Sequence, residues 1–176
     1  MEQPLQTETT RTPTRKPVFT DTMQIGMIVR DLNATVERFI EDYGIGPWTI
    51  FEVTPEIAPN LRHDGGPVRG SCRSAVAMVG KVMWELTEPL DDLTLFARFL
   101  AEKGEGVHHI AVATPNFEEV VAEHTADGTV LPLSGSLAGI DVAYLPTDRA
   151  LGGVLLEVFS GMPGGVQDSG AANEAQ

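Results

Sequence analysis

The sequence predicts an α+β fold in which one unit, a strand, a helix and three further strands (βαβββ), occurs twice and builds a curved mixed sheet. Three observations predict it. Period-two apolar alternation recurs in short segments over 22–87 and again over 107–159. One helical apolar stripe follows the first strand of each run. The first and last strands of the two runs also overlay. Gln24-Ile25-Gly26-Met27 matches His109-Ile110-Ala111-Val112, and Val82-Met83-Trp84-Glu85-Leu86 matches Val154-Leu155-Leu156-Glu157-Val158.

In chain order, residues 1–20 lack apolar periodicity and, like the Gly/Ala/Ser-rich residues 161–176, read as disordered, mobile tails. The first module is expected over 21–90. Thr22–Val29 alternates as a strand, and Val36, Phe39, Ile40 and Tyr43 mark a helix that stops at Gly44. Pro47–Thr54 is a second strand and 55–70 a Pro- and Gly-rich loop. Ser71–Val79 and Lys81–Thr87 form a hairpin turning at Gly80. A linker helix occupies 91–104, with Leu95, Phe96, Phe99 and Leu100 on one stripe. The second module, 105–160, opens with the strand Val107–Thr114. A helix follows, introduced by a capping box of Asn116 and Glu119, and then strands near Val130–Leu133, Ile140–Leu145 and Val154–Phe159.

Composition narrows the function. The chain has 176 residues, 42% of them apolar, enough for a core. No apolar run has the length that crosses a bilayer, and the N-terminus lacks a signal-peptide core, so a cytoplasmic, non-membrane protein is expected. The single Cys72 excludes an internal disulfide and a cysteine metal cluster. Net charge is −13, and the tails contribute only +1 (1–17) and −2 (161–176), which leaves −12 on the body. Such a body repels a phosphate backbone, so nucleic acid is not an expected partner.

The repeat brings four polar residues into register. Parity places Gln24, Glu85, His109 and Glu157 on the face opposite the large apolar side chains of their strands. A carboxylate in so apolar a strand costs free energy unless it is paired or bound to an ion. Two carboxylates, an imidazole and an amide related by a repeat suit a divalent cation near a pseudo-two-fold axis, with Gly26 and Ala111 leaving room above it. Oxygen-rich donors with one imidazole fit Zn, Co, Ni or Mn without distinguishing them.

The segments MQIGMIVRDLNATVERFIED (23–42), WELTEPL (84–90) and GEGVHHIAV (104–112), with GGVLLEVF (152–159), resemble the vicinal oxygen chelate superfamily. Within it they are most similar to methylmalonyl-CoA epimerases. The resemblance implies paired βαβββ modules around a metal-lined cleft, often in a homodimer. It assigns His109, Glu157 and Glu85 as metal ligands and puts Gln24 where the epimerases have His. The resulting Gln/Glu/His/Glu set is that of zinc-type lactoylglutathione lyase, and it is unlike the two-His-one-carboxylate set of the extradiol dioxygenases. Where some epimerases carry a further glutamate base on the third strand, this chain has Cys72-Arg73-Ser74.

The chemistry implied is removal of a proton α to the carbonyl of a small carbonyl compound or acyl thioester, through a metal-stabilised enolate. Glu157 is the first choice of base and Glu85 the second. The alternatives are a lactoylglutathione-lyase-like isomerase or related lyase, and a non-catalytic ligand-binding protein of the bleomycin-resistance type. Other residues carry weaker signals. His108 reads as structural on the apolar side, Cys72 as a buried hydrophobe, and His124, Trp48 and Phe51 as packing. Arg62, His63, Arg69 and Arg73 gather near the long loop. Asp141 and Tyr144 share a strand without decisive spacing.

Overall fold

A computed structural model describes residues 18–160, and the expected tails at 1–17 and 161–176 lie outside the described residues. The strands are β1 (Thr22–Ile28), β2 (Thr49–Val53), β3 (Arg62–His63), β4 (Gly66–Pro67), β5 (Cys72–Val79), β6 (Val82–Pro89), β7 (Gly106–Ala113), β8 (Leu133–Leu137), β9 (Ile140–Leu145) and β10 (Leu155–Phe159). The helices are α1 (Leu32–Tyr43), α2 (Leu95–Lys103) and α3 (Phe117–Thr125). All ten strands form one curled mixed sheet in the order β2-β5-β6-β1-β7-β10-β9-β8-β3-β4. No helix among the described residues is long and apolar enough to cross a membrane.

The sheet order contains a near-symmetry. On one side of the central β1·β7 antiparallel pair lie β6, β5 and β2, and on the other β10, β9 and β8. Each run thus pairs its first strand in parallel with its last, β1 with β6 and β7 with β10. Asp31 caps α1 by accepting from the Ala34 N–H, and Gly44 ends it in the left-handed conformation. The face α1 buries is Leu32, Val36 and Phe39 over Val29, Ala75 and Leu86. Ile40 and Tyr43, expected on that stripe, are 50% and 66% exposed, because the buried row begins a turn earlier, at Leu32. α3 covers the same side of the other half with Val120 over Val112, Leu145 and Val158.

Three local expectations are corrected. α2 starts at Leu95 rather than 91, because the Asp91 carboxylate accepts from the Ser71 and Leu93 N–H groups and holds a turn, and Thr94 then caps the helix. Asn116 makes no side-chain cap; its own N–H donates to Thr114 Oγ1, and Glu118 and Glu119 lie at the positive end of α3 instead. The strand expected near Val130–Leu133 is shifted to Leu133–Leu137, a Ser/Gly-containing segment of low strand preference that is held by its partners on both sides.

Those partners include the long loop, which acts as a strap. It leaves β2 at one edge of the sheet, and its β3 pairs with β8 at the other, Arg62 opposite Ser134 and His63 opposite Leu133. Ala58 and Leu61 from the strap join Leu95, Leu133, Val142, Tyr144 and Leu155 in a third apolar cluster, which fills the inner face of the second half. Asn60 passes so close to Gly135 that a side chain there would meet its carbonyl.

The centre of the sheet is built from two neighbouring rows. One reads Glu85, Gly26, His109 across β6, β1 and β7, and the other reads Gln24, Ala111, Glu157 across β1, β7 and β10. Each row is a small residue flanked by two polar ones, and the pseudo-two-fold exchanges the rows. Gly26 does not leave free room, as parity suggested. The His109 imidazole occupies the space that a Cβ at position 26 would need.

Two stability measurements test this description. In urea unfolding, Leu61→Ala is expected to cost about 2–5 kcal/mol, whereas Ile57→Ala, at a strap position 62% exposed, stays within about 0.5 kcal/mol of wild type. Gly26→Ala, which forces the imidazole off its seat, is expected to cost about 1–3 kcal/mol and to shift the His109 ring resonances.

Candidate functional site

β6, β1, β7 and β10 are adjacent, and each delivers one polar side chain to the same point of the inner face. Gln24 Nε2 donates to Glu85 Oε2 at 2.6 Å and lies 3.1 Å from His109 Nε2. That same imidazole nitrogen is 3.3 Å from Glu85 Oε2 and 3.2 Å from Glu157 Oε2. The structure therefore brings together all four residues singled out by the repeat. His109 is wholly buried, Gln24 and Glu157 are nearly so, and the Glu85 side chain, 15% exposed, is the member open to solvent.

Two residues join them. Tyr144 stands opposite Glu157 in the β9·β10 ladder, with its hydroxyl 3.4 Å from His109 Nδ1. His108 Nδ1 is 3.1 Å from His109 Nδ1. Alternation had put His108 on the apolar side of the sheet. The β1·β7 register instead jumps from Gly26↔His109 to Met27↔Val107, a bulge that leaves His108 unpaired and lets neighbouring residues share a face. His108 packs edge-on against Phe96 and Phe99 of α2.

The electrostatics follow from burial and from the pairing of charges. Burial pushes the Glu157 carboxyl up to about 7, and repulsion from Glu85 adds to this against the attraction of His109. For His109 burial opposes the charge, yet the Glu157 and Glu85 carboxylates outweigh it and hold the imidazole above its ordinary value. Burial also raises Tyr144 well above the usual phenol range, and burial with the neighbouring His109 pushes His108 down to about 3. Glu157 Oε2 is fully buried and, although close to His109, has no partner at hydrogen-bonding geometry. The donors close on the imidazole nitrogen itself. Among the described residues no group of three or more His, Cys, Asp or Glu side chains stands around an open point as ligands stand around an ion.

The remaining candidates are dispersed. Arg62 donates to the Pro59 and Leu61 carbonyls within the strap, His63 pairs with Asp64, and Arg73 lies between Glu52, Glu88 and Asn33. These cations form no common cluster with one another. Cys72 is buried and its thiol is pushed up to about 12 by burial, which leaves no thiolate for nucleophilic work. Trp48 packs on Phe39, His124 Nδ1 bonds the Val120 carbonyl, and the Asp141 N–H donates to Ser160. The surface depression bounded by Asn60, Phe117 and Asp141 holds none of the four central residues. Sequence reasoning missed the role of Tyr144, and its signal lay in pairing Ile140–Leu145 with the Glu157 strand, which puts the phenol beside that carboxylate.

The chain and its fold are similar to those of known proteins. A family model described as the glyoxalase/bleomycin resistance protein/dioxygenase superfamily matches residues 23–144. No curated protein sequence matches. Among solved structures, Streptomyces coelicolor methylmalonyl-CoA epimerase in complex with 2-nitronate-propionyl-CoA is similar at 27% identity. That match has a TM-score of 0.59 and covers 80% of this chain and 96% of the epimerase. Methylmalonyl-CoA epimerase from Mycobacterium tuberculosis shares the fold, with a TM-score of 0.61 at 19% identity over 85% of this chain and 93% of the other. A hypothetical protein from Bacillus halodurans C-125 does so with a TM-score of 0.62 at 23% identity over 84% and 98%. With the matched segment running from the first strand to Tyr144 in the second repeat, the chain belongs to the glyoxalase/bleomycin resistance/dioxygenase (vicinal oxygen chelate) superfamily.

Proposed function

We propose that this chain is a metal-dependent epimerase or isomerase that removes the proton α to the carbonyl of a small acyl thioester or related carbonyl compound. The observation that carries the reading is the pair of carboxylates. Glu85 and Glu157, from the last strands of the two repeats, approach one buried imidazole nitrogen at 3.3 and 3.2 Å, and a buried Glu157 oxygen has no hydrogen-bond partner. The similarity to an epimerase whose structure holds an acyl-CoA analogue supports the thioester as substrate class. The superfamily resemblance supports a homodimer.

The residues present fit a divalent cation of the Zn, Co, Ni or Mn class. Two carboxylates already lie within 3.3 Å of the same imidazole nitrogen, and a half-turn of the Gln24 amide exchanges its inward Nε2 for Oε1. The orphaned Glu157 oxygen has the unmet need that a cation would satisfy. Gln24, Glu85, His109 and Glu157 would hold the ion, and the ion would supply Lewis-acid stabilisation of the enolate oxygen. The chain's own groups move the proton. Glu157, raised to about 7, is poised as a base near neutral pH and receives the α-proton on a carboxylate oxygen. Glu85, arriving from the opposite side of the pseudo-two-fold and more open to solvent, returns a proton to the other face of the carbon, which inverts configuration. Tyr144, opposite Glu157 in the β9·β10 ladder, and His109, 3.2 Å from its Oε2, flank Glu157 from the β9 and β7 sides.

Two measurements test this reading. Full-length protein loaded with Zn, Co, Ni or Mn is expected to exchange the α-proton of methylmalonyl-CoA with deuterated solvent. Glu157→Gln is expected to lower that exchange by about 10²–10⁴-fold while still binding substrate analogues. Absence of exchange in every loaded form overturns the acyl-thioester reading, and failure to take up any of these ions favours a ligand-sequestering protein. Cation binding is also expected to depend on pH with a definite sign. Below about 7 the Glu157 carboxyl is neutral, and the neighbouring carboxylates hold a proton on His109 above its ordinary value, so binding must displace protons. Affinity therefore rises with pH up to and through 7, by about tenfold per unit for each proton released. Calorimetry in buffers of different ionisation enthalpy reads that release directly.

A further inference from the structure

We propose that His108 is a positioning residue. Its Nδ1 accepts a hydrogen bond from Nδ1–H of His109, which locks the His109 ring with Nε2 turned to Gln24, Glu85 and Glu157. This rests on the functional reading above in one respect only, that His109 Nε2 is a cation ligand.

The argument starts from geometry. The two Nδ1 atoms are 3.1 Å apart, and both rings are buried, so one nitrogen must carry a proton and the other must accept it. The surroundings decide which. A His109 ring that gives Nε2, the nitrogen facing Gln24, Glu85 and Glu157, to a cation has its one proton on Nδ1 and donates from there. His108 has aromatic rings around it: Phe96 and Phe99 of α2, met edge-on at 5.2 and 5.0 Å between centroids, and Tyr144 at 5.8 Å. No carboxylate pairs with it among the described residues. The His108 Nδ1, 3.1 Å away, is thus the acceptor within reach of that proton.

A histidine that offers Nε2 to a cation must keep its proton on Nδ1, and an acceptor there fixes both tautomer and ring orientation. The second neighbour of that nitrogen, the Tyr144 hydroxyl, is more distant at 3.4 Å. The bulge in β7 is what makes this possible, since strict alternation would send His108 to the other face of the sheet. The same aromatic box holds the acceptor still, and Gly26 beneath the His109 ring completes the seat.

The test uses full-length protein, cobalt(II) as the probe ion and two variants with opposite structural effects. His108→Phe keeps the contact with Phe96 and Phe99 and removes the acceptor. His108→Asn gives up the ring contact and keeps an acceptor, Oδ1, close to the Nδ1 position. Positioning predicts that cobalt affinity falls about 10–100-fold in His108→Phe and survives in His108→Asn, although the Asn variant melts at the lower temperature. Affinity that follows melting temperature across the two variants, or an undiminished affinity in His108→Phe, overturns the proposal. Nitrogen NMR of metal-free protein separates this proposal from the metal reading. A through-hydrogen-bond coupling between the two Nδ1 atoms is expected whether or not wild type binds cobalt, and in zinc-loaded protein the bridging proton is expected on His109. Absence of the coupling, or a proton residing on His108 Nδ1 in zinc-loaded protein, refutes the positioning role. The expected coupling in a protein that takes up no cobalt refutes only the metal reading.

Discussion

A buried imidazole between two carboxylates is the constraint around which the rest of this molecule is arranged. Two acids and one base withdrawn from water are tolerable only if each charge has a partner and each remaining polar atom has an occupant. His109 achieves the first by standing between Glu85 and Glu157, and Gln24 supplies a neutral donor to the same cluster. Because the ring is too large to share its row with another side chain, the residue facing it has to be Gly26. The repeat-related position, Ala111, faces no ring and takes a methyl group. The departure from two-fold symmetry in sequence therefore follows the departure in function. His109 and Gln24 occupy equivalent places, and the one with the bulkier side chain has the smaller neighbour.

The two halves divide their labour in the same way. Both use the outer side of the sheet for helix packing, α1 on one half and α3 on the other. On the inner side the second half is closed by α2 and the strap, which fill it with Ala58, Leu61, Leu95 and Tyr144. The first half keeps the partly exposed Glu85, with the 37% exposed Phe51 on β2. The proposed substrate would therefore approach from the first half and reach the buried members of the cluster past Glu85. That gives the two carboxylates different environments despite their common origin, and different environments are what separate an acid from a base.

Much of this was legible in the sequence, for a definite reason. Strand parity is a local rule, and it holds wherever strands are regular, so Gln24, Glu85 and Glu157 could be assigned to one face from their neighbours alone. The family resemblance pointed to the same four residues from the motifs around His109 and Glu157. The rule failed at His108, where an extra residue enters the ladder; nothing in GEGVHHIAV marks the bulge, which only the register with β1 reveals. The strap was illegible because its two-residue strands are defined by a partner some seventy positions away. Tyr144 escaped notice for a related reason, since its meaning depends on which residue of β10 it faces. Local pattern located most of the strands and helices, whereas β3, β4 and the bounds of β8 depended on non-local pairing.

The strap has a further consequence, for growth of the sheet beyond the chain. An open sheet has two bare edges, and a protein with both can in principle polymerise by adding copies end to end. Here one margin is the five-residue β2, and the opposite margin is β4, two residues long, of which Pro67 has no amide hydrogen to offer. Strand addition has a template at one margin and almost none at the other. Among the described residues, a second copy adding by its backbone would find its longer template in β2, and a β2-to-β2 pair would close on itself. The segment that completes the inner apolar cluster of the second half thus also leaves a short, poorly pairing margin to the sheet.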